Sequence, residues 1–156
     1  MQTVLISDFN DERFVSAFRV ALQEFSINLD NFDKYIKEFN TAGNIFAYVL
    51  VNSEKQSVAL IQFQKTELSN QYVKEELGLI RDFWIASEYR KQGCGSVLLN
   101  AAEEYFLKNN INSVVLFSRP ETEGFYQKQG YKKRTSMTAC NGMPVYEKDI
   151  FTLNMR

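Results

Sequence analysis

The sequence predicts an α/β fold in which a mixed, mostly antiparallel sheet of about seven strands is flanked by about four helices. Short apolar runs typical of strands alternate with segments whose apolar residues recur every three or four positions. The last two strand-like segments are joined by Asn141-Gly142, a strong hairpin signal. A length of 156 residues, without a repeat or a composition break, suits one domain over residues 1–156. The predicted element order is βααβββαβαββ.

The first predicted element is a strand over residues 3–6, and two helices follow it. Asn10 or Asp11 caps the first helix, whose apolar residues have the spacing of one buried helix face. These residues are Phe14, Ala17, Phe18, Ala21, Leu22 and Phe25. Asn31 opens a second, weaker helix, and Gly43 ends it because glycine readily takes the left-handed conformation at a helix end.

Three strands are predicted in the middle of the chain. Residues 44–51 and 57–65 are rich in strand-forming side chains, and the polar residues 52–56 between them indicate a hairpin. Residues 66–76 are polar, so we expect a surface loop there. Residues 77–85 are the next strand, and they lead directly into a glycine-containing segment.

The last third of the chain predicts two helices and three strands. An amphipathic helix begins near Ser96, and the short apolar strand 113–117 follows it. Residues 121–129 suit a short helix that a glycine closes. Residues 131–139 and 145–153 form the terminal hairpin.

Composition and charge exclude several classes of protein. A formal net charge of -1 disfavours a nucleic-acid partner or an anionic membrane surface, and no apolar run is long enough to span a bilayer. No secretion signal is recognisable and Cys94 and Cys140 suit reduced thiols, so a cytoplasmic protein is expected. Histidine is absent, which removes the commonest general base and metal ligand, and no metal is expected.

Residues 90–96, Arg-Lys-Gln-Gly-Cys-Gly-Ser, lie between a predicted strand and a predicted helix. Two glycines there allow a tight turn, and the helix start supplies unpaired N–H groups, so the segment suits a phosphate or a pyrophosphate. A Walker loop is excluded because Gly95 is not followed by Lys. A dinucleotide fingerprint is excluded because its third glycine is replaced by Leu98. A turn that binds nothing stays open.

Two motifs carry a family resemblance. Residues 85–99 resemble the acetyl-CoA loop of the GNAT superfamily of N-acetyltransferases, whose Arg/Gln-x-x-Gly-x-Gly/Ala pattern is matched at Arg90, Gly93 and Gly95. Residues 123–131 are similar to the family's Phe-Tyr-x-Lys-x-Gly-Phe segment, with Tyr131 in place of the last Phe. The predicted element order also agrees with the GNAT fold.

The resemblance implies direct transfer of an acetyl group from acetyl-CoA to a primary amine of a small molecule or peptide. It implies that the N–H groups of residues 91–96 hold the pyrophosphate, and that main-chain groups of residues 83–85 pair with the pantetheine arm and polarise the thioester. The cofactor-binding residues expected on this basis are Phe83, Trp84, Ile85, Arg90, Lys91, Gln92, Gly93, Cys94, Gly95, Ser96, Arg119, Tyr126 and Lys128. Family members are often dimeric, so a homodimer stays open.

The resemblance also assigns catalytic roles. Tyr126 is the expected general acid, because a phenol is protonated at neutral pH and can protonate the leaving thiolate. The alternative is that Tyr126 is only a half-buried ring. A carboxylate acting through water is the expected base, because the amine must lose a proton and the chain has no histidine. Asp82 is the first candidate for this base, with Glu76 and Glu88 as alternatives. An ordinary charge at Asp82 is an equally good interpretation.

Several assignments keep alternatives. The family often has Asn where this chain has Arg119. Two interpretations of Arg119 stay open: it contacts a phosphate of the cofactor, or it caps the end of the strand. Lys128 belongs to a basic cluster that either contacts the 3′-phosphate of CoA or stays solvated. Cys94 is either a reactive thiol or a small apolar side chain that fills space. Two other functions compete with acetyl transfer: a CoA-binding regulatory module without turnover, and an acyltransferase that uses a longer acyl group.

Overall fold

The computed structural model describes residues 1–151. The last strand ends at Asp149, so the predicted strand 145–153 is wrong at residues 150–151, and its residues 152–153 lie outside the described residues. In this range the strands are β1 Gln2–Ile6, β2 Ile45–Val51, β3 Ser57–Ser69, β4 Lys74–Ile85, β5 Ser113–Phe117, β6 Lys132–Thr138 and β7 Pro144–Asp149. The α-helices are α1 Glu12–Glu24, α2 Phe32–Ala42, α3 Cys94–Lys108 and α4 Glu123–Lys128. Single 3₁₀ turns lie at Leu29–Asn31 and Ser87–Tyr89. The predicted fold class and element order are confirmed.

The seven strands are hydrogen-bonded in the order β1-β2-β3-β4-β5-β7-β6. The pairs β1–β2, β2–β3, β5–β7 and β6–β7 are antiparallel, and β4–β5 is parallel. Strands β4 and β5 run in the same direction because the chain crosses over through α3, and β5 and β6, which flank β7, do so through α4. Within residues 1–151, no helix combines the length and the apolar character needed to cross a bilayer.

The surface loop expected over residues 66–76 is wrong. Strand β3 continues to Ser69 and β4 already begins at Lys74, so only four residues form the turn. The side-chain amide oxygen of Asn70 accepts the N–H groups of Tyr72 and Val73, which fixes this turn. Most side chains in the extension are exposed on both faces. The expected alternation of apolar and polar residues is therefore missing, although the backbone is paired.

Residues 1–64 and 82–102 form one compact unit. Asp11 caps α1 by accepting the N–H of Arg13, and Gly43 ends α2 with a φ of 75°. The buried rings of this unit meet mostly edge to face, with the centroids of Phe9 and Phe14 4.8 Å apart and those of Phe9 and Phe39 5.3 Å apart. Trp84 of β4 belongs to the same apolar cluster. Burial of these faces is what holds α1 and α2 in place.

Residues 65–81 and 103–151 form a second compact unit. Its centre holds a buried ion pair, in which the Lys148 ammonium lies 2.8 Å from a carboxylate oxygen of Glu103. The other oxygen of Glu103 accepts the hydroxyl of Tyr131 at 2.9 Å. On β4, the ring of Phe106 occupies the space where Gly78 would otherwise carry a side chain. Glycine at this position is therefore a packing requirement.

Candidate functional site

The glycine loop joins the end of β4 to the start of α3. Lys91 and Gly93 both have left-handed backbone conformations, with φ of 61° and 86°. A Cβ added at Gly93 would meet no protein atom within 4 Å, so the space beside this residue is open. The predicted helix start near Ser96 is two residues late, because the helix begins at Cys94 inside the motif.

The start of α3 has the properties of an anion site. Its first turn contains no acidic side chain, and the helix is 15 residues long. The first N–H groups of such a helix have no carbonyl partner within the helix, and the helix dipole adds partial positive charge there. Lys91 and Gln92 are exposed beside it. These residues fit a diphosphate group.

Cys94 lies at this helix start but is only 6% exposed. A thiol buried to this degree packs as a small apolar side chain, and an attacking group needs access to its sulfur. The structure therefore favours the apolar filler over the reactive thiol. Cys140 is also a free thiol, and it lies exposed in the terminal hairpin.

The side chains of the loop brace its backbone. The Nε–H of Arg90 donates to the carbonyl of Ile85 at 2.9 Å, and the Nε2 amide of Gln92 donates to the carbonyl of Glu88 at 2.7 Å. A second Arg90 nitrogen lies 3.0 Å from the Glu24 carboxylate at the end of α1. The same carboxylate oxygen accepts the indole N–H of Trp84 at 2.7 Å. These hydrogen bonds tie the loop to the end of β4 and to the end of α1.

The end of β4 carries the predicted pantetheine-binding residues. Trp84 is buried, whereas Phe83 and Ile85 are half-buried on the opposite face of the strand. Asp82 is half-buried and shares the Trp84 face by strand alternation. The alternative bases Glu76 and Glu88 are both exposed. Among these three carboxylates, Asp82 alone is partly shielded from water.

In the second unit, the parallel pairing of β4 with β5 is short. It joins Gly78 with Val114 and Leu79 with Val115. Strand β5 continues to Phe117, and β4 also continues, but no further pair between them exists among the described residues.

Tyr126 lies on α4 and is 9% exposed. Its ring packs edge to face against Phe125 at 5.2 Å and against Tyr131 at 6.0 Å. Burial raises the pKa of Tyr126 to about 12. The phenol therefore keeps its proton throughout the neutral range and can act as a proton donor.

The start of α4 is fixed by hydrogen bonds within the second unit. The hydroxyls of Ser118 and Thr122 are 3.0 Å apart, and that of Thr122 also donates to the carbonyl of Arg119 at 3.2 Å. The Tyr146 hydroxyl donates to the Glu123 carboxylate, and this bond raises the pKa of Tyr146 to about 12. Arg119 itself and the nearby Lys128 are exposed side chains.

Sequence reasoning missed Glu24. Its contacts to Trp84 and Arg90 join residues 60 and 66 positions apart. No local motif marks such a pair, because the contact depends on how α1 packs against the sheet. Trp84 offered the one usable signal, since a buried indole N–H needs an acceptor.

Comparison of the sequence with known families finds a match over most of the chain. A family model described as an acetyltransferase (GNAT) domain matches residues 7–147. A Bacillus subtilis (strain 168) protein named as a candidate acetyltransferase is 30% identical over 67 residues, which are 43% of this chain and 46% of that protein. This match therefore spans less than half of the relative's length.

Solved structures share the fold. A Clostridium acetobutylicum protein, described as a predicted acetyltransferase and solved with acetyl-CoA, has a TM-score of 0.74 at 15% identity. That alignment covers 88% of this chain and 94% of the other. An aminoglycoside 6′-N-acetyltransferase complexed with coenzyme A has a TM-score of 0.72 at 16% identity, covering 96% of this chain and 97% of the other.

Proposed function

The chain belongs to the GNAT acetyltransferase family, and from that premise we propose that it transfers an acetyl group from acetyl-CoA to a primary amine. The observation that carries this proposal is the loop between β4 and α3. It combines left-handed residues at Lys91 and Gly93 with a long helix whose first turn has no acidic side chain. Such a loop presents main-chain N–H groups to a diphosphate, the group that distinguishes a CoA thioester from a simple one.

Acetyl-CoA supplies an activated acetyl group, and the chain's own residues bind and orient it. The amides of residues 91–96 hold the diphosphate, and Arg90 lies at the start of this loop. Main-chain groups of residues 83–85 pair with the extended arm, as in strand addition. Lys128 and Arg119 are exposed and supply positive charge for the remaining phosphate.

Tyr126 is the proposed general acid, because burial keeps its phenol protonated with a pKa of about 12. Asp82 is the proposed base and accepts the proton of the attacking amine through a water molecule. Partial burial on β4 favours Asp82, because Glu76 and Glu88 are both exposed to bulk water.

The acceptor is proposed to be a small-molecule or peptide amine, since the net charge of -1 favours a cationic partner over nucleic acid. An aminoglycoside acetyltransferase among the structures of similar fold makes amino sugars reasonable first acceptors to test. Cys94 and Cys140 are free thiols, which suits a reducing compartment such as the cytoplasm. A homodimer is part of the proposal only by analogy with the family.

The test measures thiol release from acetyl-CoA with a panel of aminoglycosides, polyamines, amino acids and short peptides. We expect turnover with at least one amine class and none without an amine. CoA uptake without turnover on any amine would instead favour a regulatory CoA-binding module. Faster turnover with a longer acyl-CoA than with acetyl-CoA would identify a general acyltransferase. Absence of CoA uptake would overturn the proposal entirely.

A further inference from the structure

The carboxylate of Glu24 makes two hydrogen bonds through one oxygen. Its Oε2 accepts the indole N–H of Trp84 at 2.7 Å and a terminal guanidinium N–H of Arg90 at 3.0 Å. Glu24 is the last residue of α1, whereas Trp84 and Arg90 flank the segment where β4 becomes the glycine loop. All three residues lie in the first compact unit.

These contacts determine the orientation of the Arg90 side chain. Its Nε–H donates to the Ile85 carbonyl at 2.9 Å while its terminal nitrogen reaches Glu24. The guanidinium group is planar and rigid, so two contacts along one edge fix its plane. They use two of its five N–H groups, and the others can still donate to a further acceptor.

We propose that Glu24 is a positioning residue for coenzyme A binding, which acts by holding Arg90 and Trp84 in place at the entrance of the glycine loop. This inference rests on the proposed function. Binding to an ordered Arg90 avoids the entropy cost of immobilising a long flexible side chain. The bond to Trp84 fixes the same stretch of β4 whose main chain is proposed to pair with the ligand.

Two substitutions separate the hydrogen bonds of Glu24 from its charge. Glu24→Gln keeps an oxygen that accepts from both Trp84 and Arg90, whereas Glu24→Ala removes the acceptor. We expect Glu24→Gln to bind CoA within about twofold of the parent chain. We expect Glu24→Ala to bind CoA about 5- to 20-fold more weakly. Glu38→Ala, which removes an exposed carboxylate from α2, is the matched control and should bind like the parent.

A double-mutant cycle tests whether Glu24 acts through Arg90. In an Arg90→Met background, Glu24→Ala should weaken CoA binding by a smaller factor than in the parent chain, because only its contact to Trp84 is left to lose; titration calorimetry measures both factors. Trp84 is the only tryptophan in the chain, so its fluorescence reports the contact without any ligand. Its emission should shift in Glu24→Ala and stay at the parental wavelength in Glu24→Gln and Glu38→Ala.

The outcomes distinguish this inference from the proposed function. A parent chain that takes up no CoA refutes the proposed function and, with it, the inference. A parent chain that binds CoA, together with a Glu24→Ala variant of equal affinity, refutes the inference alone. An equal loss of affinity in the parent and Arg90→Met backgrounds, together with parental Trp84 emission in Glu24→Ala, also refutes it, because Glu24 then acts through neither residue.

Discussion

Gly93 provides a test that separates ligand binding from backbone strain. Its φ of 86° is left-handed, and a Cβ placed there meets no protein atom within 4 Å. Alanine in this conformation costs roughly 1–2 kcal/mol, and no steric clash adds to that cost. The folded state of Gly93→Ala should therefore lose about that much stability and keep its structure.

Gly43 is a matched control for this substitution. It has a φ of 75°, and a Cβ added there also meets no protein atom within 4 Å. Gly43→Ala should therefore lose about the same 1–2 kcal/mol of stability as Gly93→Ala. Gly43 ends α2, outside the glycine loop, so its substitution should leave CoA affinity unchanged.

The prediction for binding follows from the open space beside Gly93. A methyl group there occupies volume that a diphosphate needs when main-chain N–H groups approach it closely. We expect Gly93→Ala to weaken CoA at least tenfold, a loss of about 1.4 kcal/mol or more, as measured by calorimetry. Urea denaturation of both variants supplies the stability comparison. Equal CoA affinity in Gly93→Ala and Gly43→Ala, at equal stability loss, would refute the assignment of this loop.

Three further substitutions test Tyr126, the proposed general acid, and the core of the second unit. Tyr126→Phe should lower kcat at least tenfold with little change in CoA affinity. Tyr105 is another tyrosine whose pKa is raised by burial, and the control Tyr105→Phe should keep the parental kcat. Because the pKa of Tyr126 lies at about 12, its phenol stays protonated and should cause no loss of kcat as pH rises from 7 to 10. A fall in kcat over that pH range that is absent in Tyr126→Phe would contradict the assignment. Lys148→Met should destabilise the chain by about 3–5 kcal/mol in urea, because it leaves the buried Glu103 carboxylate without its cation. Adding Glu103→Gln to Lys148→Met should recover part of the lost free energy of unfolding. A loss below about 1 kcal/mol for Lys148→Met alone would show that the ion pair is not buried in solution. Gly78→Ala should cost about 1–3 kcal/mol, because its Cβ would lie 2.5 Å from the Phe106 ring, and an unchanged unfolding midpoint would mean that the ring moves aside freely.

The sequence predicted the fold because most elements bury one face. Helix α1 buries Phe14, Phe18 and Leu22 at the spacing that predicted it, and β5 covers the predicted residues. Gly43 ends α2 in the left-handed conformation, as predicted from the preference of glycine for helix ends. These elements carry their signal locally, in the periodicity of their own side chains.

The extension of β3 and β4 beyond the core carried no such signal. Its residues are held by strand pairing and by the Asn70 turn, and polar side chains on both faces suggest a loop. The start of α3 was predicted two residues late, because Gly95 in its first turn suggested a loop, whereas the start of α4 was predicted two residues early, at residue 121 instead of Glu123. Chain entropy disfavours glycine in helices, but here the turn geometry outweighs that cost.

The sequence predicted the main-chain part of the candidate site, but not which side chains contact one another there. The motif at residues 90–96 identified the loop, and the structure shows it as a tight, open turn at a helix start. The partners Glu24 for Arg90 and Glu103 for Lys148 come from distant segments. Such pairs form only when packing brings two segments together, and no spacing rule within either segment reveals them.

The central claim is that main-chain amides of residues 91–96 hold coenzyme A. Amide chemical shifts measure this directly, since a chain of 18.1 kDa gives resolved two-dimensional ¹H–¹⁵N spectra. Titration with CoA should move the amide signals of residues 91–96 most, followed by those of residues 83–85, and should leave the amide of Gly43 in place. Saturable binding that shifts other amides while those of residues 91–96 stay unchanged would contradict the claim.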